Sequence, residues 1–397
     1  MAELFGMSLW FVASAVSGQL AQRWHLGTGQ SAWLTTIVQL GFVIGTASVA
    51  FFNLADILPS RVLFAASALA GALANATLLI APGFSTALLC RFATGVCLAG
   101  VYPPAMKMIA TWFRSRRGLA IGTIVGALTV GKATPYLIHA LHAQSVEPVL
   151  AISSAGACTA AILVLLGYSD GPYPFVRRPF SWGLVRSVVR ERRWRLATAG
   201  YLGHMWELYS FWTWISAFFA ASALARATEG FAVPPPTVVN LLAFGAIAIG
   251  GAGCVWGGLL ADRIGHERLV VRALATSGSC ALLVGVVFGA SFWLLVPLAW
   301  LWGLSVIADS AQFSTLVTRS VPSHAVGTAL TLQTSLGFLL TMVTIQIVPP
   351  IVGLVGWRWA FPILALGPAA GIGAIRVLQA DRSGDRERRI DVAATAG

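Results

Sequence analysis

Charge is what this chain has least of. Asp, Glu, Lys and Arg make up 10% of its 397 residues, where a soluble domain carries about a quarter. With 57% hydrophobic residues and a mean hydropathy of +0.80, it cannot cover a water-facing surface and reads as an integral membrane protein. Long polar stretches are also missing: the longest, 169–195, leaves no room for a soluble domain. The apolar runs lack the alternation of a membrane β-barrel, which excludes that class. There is no Cys-x-x-Cys pair, and Cys90, Cys97, Cys158, Cys254 and Cys280 all fall in apolar runs as small hydrophobes. The N-terminus has no basic region of the kind that opens a cleavable signal peptide. No metal-ligand set, nucleophile triad or phosphate loop is visible, so no cofactor, metal or enzyme activity is expected. His25, His139, His142, His204, His266 and His324 are scattered.

What is present is a succession of apolar runs. They predict spans at 2–22, 31–52, 62–81, 85–106, 118–141, 147–168, 196–222, 237–260, 270–290, 292–314, 326–348 and 355–378, each about 20 residues, the length that crosses a bilayer. The excess of 26 basic over 14 acidic residues could suggest nucleic acid in a soluble protein. Here position matters more than the sum. With both termini inside, the cytoplasmic connectors and tail hold 21 of the 26 basic residues, and the outside holds Arg23, Arg226 and Arg358. That asymmetry follows the positive-inside rule and predicts a cytoplasmic-membrane protein with both ends in the cytoplasm.

The chain also repeats itself. Glu3 and Trp10 match Glu207 and Trp214 at an offset of 204, and Leu54-Ala55-Asp56 matches Leu260-Ala261-Asp262 at 206. A six-plus-six duplication follows, with one bundle over 1–168, a basic linker over 169–195, a second bundle over 196–378 and a tail over 379–397. In the linker, Ser181 is placed to cap an amphipathic helix through Arg195 that lies along the anionic inner leaflet; a solvated tether is the alternative. Span 7 has about eleven residues ahead of Glu207 and span 1 only two ahead of Glu3. This imbalance leads us to expect a missing N-terminal segment.

Gly258-Leu259-Leu260-Ala261-Asp262-Arg263-Ile264-Gly265 resembles the G-x-x-x-D-R-x-G signature of the major facilitator superfamily, and the likeness covers essentially the whole chain. The resemblance implies an all-α membrane fold of twelve helices in two pseudo-symmetric six-helix bundles. It implies a gate in which Gly258 and Gly265 permit a tight turn while Asp262 and Arg263 hold the inner side shut. The first-half copy keeps Asp56, with Pro59 and Ser60 where glycine and a basic residue are expected and Arg61 the nearest substitute. Arg91-Phe92-Ala93-Thr94-Gly95 is similar to the family's span-4 motif, in which the Arg is linked to binding or proton coupling. Trp112-Phe113, then Arg116-Arg117 and Gly118, resembles the branches that carry nitrate, oxalate, cyanate or organic acids. The Gly-Pro motif of drug antiporters is absent from span 5.

Ionisable groups within spans usually mark a pathway. Lys132 lies about 21 Å into span 5 at 1.5 Å per residue, near midplane. Tyr136 and His139 follow on its face. Lys132 is either a point charge for an anion or half of a structural pair with a buried acid such as Glu207. Arg91, about 9 Å from the end of span 4 with Tyr102 on its stripe, either clamps an anion bidentately or is tied to backbone carbonyls. In span 7, His204 and Glu207 share a face with Phe211 and Trp214. Glu207 is about 16 Å deep, where a carboxyl can serve as a proton site or simply neutralise Lys132 or Arg91; Glu3 is its repeat partner. Asp309, near the inner end of span 10, suits gate pairing. Trp206, Trp212, Trp214, Trp300 and Trp302 are the deep tryptophans.

The expectation is therefore a monomeric secondary transporter that moves a small anion with protons by alternating access. Lys132, Arg91, Tyr102, Tyr136 and Trp214 bind substrate, Glu207, His204 and Glu3 couple protons, and Asp56, Arg61, Gly258, Asp262, Arg263, Gly265 and Asp309 gate. Its partners are the substrate, the coupling ion and the bilayer, with no nucleic acid. Efflux of amphiphilic or cationic compounds is one alternative, and a transport-inactive assembly or sensor protein is another.

Overall fold

The computed structural model describes residues 1–52, 54–113, 117–142, 145–173 and 181–395, without the side chains of 55, 56, 117, 118, 323 and 382–395. Every regular element among them is helical. Among the described residues, nine helical stretches are long and apolar enough to cross a membrane. The shortfall from twelve has three local causes, and the first is at the N-terminus.

The run at 2–22, expected as one span, is broken into α1 (Ala2–Met7), α2 (Val12–Ala15) and α3 (Ser17–Trp24). No proline interrupts it. Instead the Arg91 side chain takes the carbonyls of Leu9 and Trp10, and a side chain inserted into the helical ladder is a recognised cause of a break. The second cause is α14 (His266–Leu283), whose opening turns carry Glu267, Arg268 and Arg272. The third is at the end of the chain, where a single 56-residue stretch runs from Val326 to Asp381. Helix continues there through Pro349 and Pro350, turns at Gly356 (φ 72°) and passes through a short 3-10 segment. The expected end at 378 is likewise overrun, because the last helix extends to Thr395.

The remaining elements follow the apolar runs: α4 (Thr28–Phe51), α5 (Leu54–Ile57), α6 (Ser60–Ala76), α7 (Phe84–Leu98), α8 (Tyr102–Ala110), α9 (Arg117–Leu141) and α10 (Val146–Gly167). Then come α11 (Trp182–Arg190), α12 (Arg192–Ala227), α13 (Pro236–Ile264) and α14, followed by α15 (Phe292–Ser305), α16 (Ser310–Thr318), α17 (Val326–Ala360) and α18 (Leu366–Thr395). Spans 4 and 10 are each interrupted, at 99–101 and at 306–309. In the first case Pro103 and Pro104 stand in the opening turn of α8 and have no N–H to continue the ladder. The two breaks lie about as far apart as the sequence repeats. Close helix packing recurs with them: Gly95 lies against the Val38 carbonyl between α7 and α4, and Gly303 against the Ala246 carbonyl between α15 and α13. Both contacts leave no room for a side chain.

The amphipathic linker helix is shorter than expected. It ends at Arg190, because Glu191 leaves helical geometry and its carboxylate caps α12. Val188 and Trp194 are buried in one cluster with Val270, Phe313 and Ala329, so this segment is docked on protein through Val188 while Trp182 stays exposed.

The two parts of the chain meet chiefly along α9 and α13. Gly122 lies against Cys254 near the arginine-rich end, Gly126 against Gly251, and His139 against Asn240 at the opposite end. A core from Met7 to Ala365 draws on both parts.

Candidate functional site

Lys132 is 1% exposed at the middle of α9. Its helix is pressed onto α1, where the Leu4 carbonyl occupies the place a side chain on Gly131 would need. The ammonium donates a hydrogen bond to the Tyr209 hydroxyl. It also lies 3.9 Å from the ring centre of Trp10, 4.5 Å from Tyr209, 5.2 Å from Trp212 and 6.0 Å from Phe338. Four rings from three parts of the sequence therefore box one cation. Each such contact is worth about 0.5–2 kcal/mol, most where water is excluded. The box has unused donors: the indole N–H groups of Trp10 and Trp212 are buried with no acceptor among the described residues. The arrangement turns one ammonium and two indole donors toward the same enclosed region.

Glu3 shares this neighbourhood. Its carboxylate is buried, accepts no hydrogen bond among the described residues, and interacts electrostatically with Lys132 and Tyr102. Tyr136 is also buried, with its hydroxyl donating to the Trp212 carbonyl at 3.2 Å. Trp214 is directed elsewhere, its indole donating to the Ile345 carbonyl at 3.0 Å.

Arg91 is fully buried, and all its observed bonds are to protein. It donates to the carbonyls of Leu9 (3.0 Å), Trp10 and Leu34 (3.4 Å) and to Asn75 Oδ1 (3.2 Å). This is the backbone-carbonyl arrangement, not an open clamp.

Glu207 is not paired with Lys132. Its two oxygens accept from Trp302 Nε1 at 2.6 Å and Ser277 Oγ at 2.7 Å, so one buried carboxylate joins α12, α14 and α15. One turn away, His204 Nδ1 lies 2.9 Å from Asp309 Oδ1, both residues 1% exposed. Asp309 thus sits buried in the break of span 10. One turn on, Gln312 meets His266 Nδ1 at 2.6 Å, which continues the polar series toward the arginine-rich end.

Of the other residues expected to gate, Gly258 is buried, Asp262 and Arg263 are exposed at the end of α13, and Gly265 (φ 93°) turns the chain into α14. Arg61 is exposed in the first turn of α6; the side chain of Asp56 lies outside the described residues. Trp300 is 39% exposed, whereas Trp212 and Trp302 are buried.

Sequence reasoning missed the box itself, although Trp10 already stood out as a repeat match. It also missed the assembly at the end opposite the arginines. There His139 contacts Gln19 at 2.8 Å and Asn240 at 3.1 Å, bridging α3, α9 and α13; no local motif marks it.

A polytopic helical protein with charges sealed at its centre and helices interrupted beside them belongs to the class of membrane transporters. The sequence model of the Major Facilitator Superfamily matches residues 2–344. The chain belongs to that family and is a secondary transporter. No curated protein matches it.

Proposed function

We propose that this transporter carries a small anion together with protons. Twelve spans in two six-helix bundles, over 1–168 and 196–378, alternate access to Lys132. The carrying observation is the Lys132 box, where a buried ammonium is hydrogen-bonded to a tyrosine hydroxyl and two buried indole donors have no acceptor among the described residues. Trp10 comes from the first bundle and Tyr209, Trp212 and Phe338 from the second, so rocking of the bundles opens the site. Tyr102 and Tyr136 line its approach, and Arg91 acts by holding the interrupted first span. Glu3, and Glu207 with His204 and Asp309, are the protonatable groups. Paired breaks in spans 4 and 10 and the repeated glycine contacts support the two-bundle arrangement. The distribution of arginines supports cytoplasmic termini in the inner membrane.

The test is thermal stabilisation of purified wild type and Lys132→Ala by small anions and by lipophilic cations, since ligand bound to the native state alone raises apparent stability. Anions are expected to stabilise wild type by several degrees and leave the variant unchanged. Stabilisation of both proteins by cations alone would replace this reading with efflux of cationic compounds.

A further inference from the structure

The box leaves one group unexplained. Glu3 is 3% exposed, with neither carboxylate oxygen accepting a hydrogen bond among the described residues. The contact of Leu4 with Gly131 makes its neighbour Glu3 and Lys132 close companions across α1 and α9. They feel each other electrostatically, yet Glu3 takes no hydrogen bond from the ammonium, which is turned to Tyr209 and Trp10. The other groups facing Glu3 are Tyr102 from α8 and the amino group of Met1. α10, also packed on α1, carries one charged residue, Glu147, in its first turn. A buried carboxylate with no donor and a buried ammonium with donors to spare are thus set near each other without a bond between them.

We infer that Glu3 and the transported anion are alternative counter-charges for Lys132, so that one proton and one singly charged anion bind as a unit. This rests on the anion reading above. Ionised Glu3 and Lys132 sum to zero. Protonated Glu3, Lys132 and a monoanion also sum to zero. A proton without an anion, or an anion without a proton, leaves a net charge in a low-dielectric interior, where it is strongly disfavoured. The bundle therefore has two electrically balanced forms in which to change access, empty and doubly loaded. The proton passes from solvent to the Glu3 carboxylate and returns to solvent on the other side, with no other bond made or broken. A dianion would leave the site at net −1, because Arg91, the other cation deep in an apolar run, is committed to Leu9, Trp10, Leu34 and Asn75. Glu207 stands outside this exchange, since Trp302 and Ser277 occupy its oxygens.

The experiment uses the full chain in detergent, with formate, acetate and nitrate as singly charged probes and oxalate as the divalent comparator, across about pH 5 to 8. Affinity is read from tryptophan fluorescence, because Trp10 and Trp212 flank Lys132, and proton uptake is read in weakly buffered solution. For wild type, a monoanion should bind about tenfold more weakly per pH unit once Glu3 ionises. In that same range each bound anion should take up one proton, and oxalate should bind more weakly. Glu3→Gln should bind the monoanion with an affinity independent of pH and without proton uptake. Monoanion binding to wild type without proton uptake at any pH across this range overturns the inference alone, and that measurement needs no variant to fold. A wild-type pH slope in Glu3→Gln overturns it as well. Failure of every anion to bind at any pH overturns the anion reading itself.

Discussion

Arg91 and Lys132 are the two cations that stand out inside the apolar runs, and the structure gives them opposite surroundings. Arg91 is surrounded by oxygen acceptors and Lys132 by ring faces. Arg91→Met should leave the freed carbonyls of a broken helix without donors. At about 1–3 kcal/mol for each buried polar group left unsatisfied, an apparent loss of 3 kcal/mol or more is expected in thermal unfolding. Arg91→Lys should fall between, because an ammonium lacks the planar fork that reaches several acceptors at once. Equal melting of all three proteins would show that the bonds to Leu9 and Trp10 carry no load. That both cations are important was legible in the sequence, since a charge in an apolar run is visible. Which is structural was not. Three of Arg91's four acceptors are main-chain atoms, two of them some 80 residues away, and main-chain atoms leave no trace in residue identity. The box was hidden for a related reason, because residues 10, 209, 212 and 338 converge only after folding.

At the scale of elements, apolar length alone placed most of the helices. It did not place their interruptions in spans 1, 4 and 10. A break at Pro103-Pro104 is readable from proline chemistry, whereas the one near Leu9 depends on another helix. Glu207 shows the same dependence, its depth foreseeable and its partners not. Because it joins three helices, Glu207→Leu should strand the Trp302 and Ser277 donors and cost about 2–5 kcal/mol of apparent stability. Glu207→Gln keeps an acceptor and should cost about 1 kcal/mol. Thermal unfolding of the pair distinguishes a helix clamp from a residue needed only for proton transfer, which would lose transport in both and stability in neither.

At the scale of the whole molecule, the two parts of the chain are zipped along α9 and α13 from one end to the other. His139, with Gln19 and Asn240, closes the end away from the arginines. Alternating access requires that contact to part once per cycle. In a background with the five native cysteines replaced, joining His139→Cys to Asn240→Cys with a short bis-thiosulfonate reagent, which forms each disulfide by losing sulfinate, should stop substrate flux. Reductive cleavage of the linker should restore it. Uninterrupted flux in the cross-linked protein would mean that the molecule opens elsewhere.

The broken first span has a consequence for how the protein is made. A segment whose Leu9 and Trp10 carbonyls lie open to the hydrocarbon is a poor resident of the bilayer until something donates to them. The donor arrives with Arg91, itself disfavoured at the centre of an isolated helix by about 2.5–3.5 kcal/mol on insertion scales. Each segment cures the other's defect. The ribosome emits them some eighty residues apart, so the first must wait at the translocon or the membrane surface until the fourth appears. The two then enter the lipid as partners, and the earliest step of assembly is a helix pair.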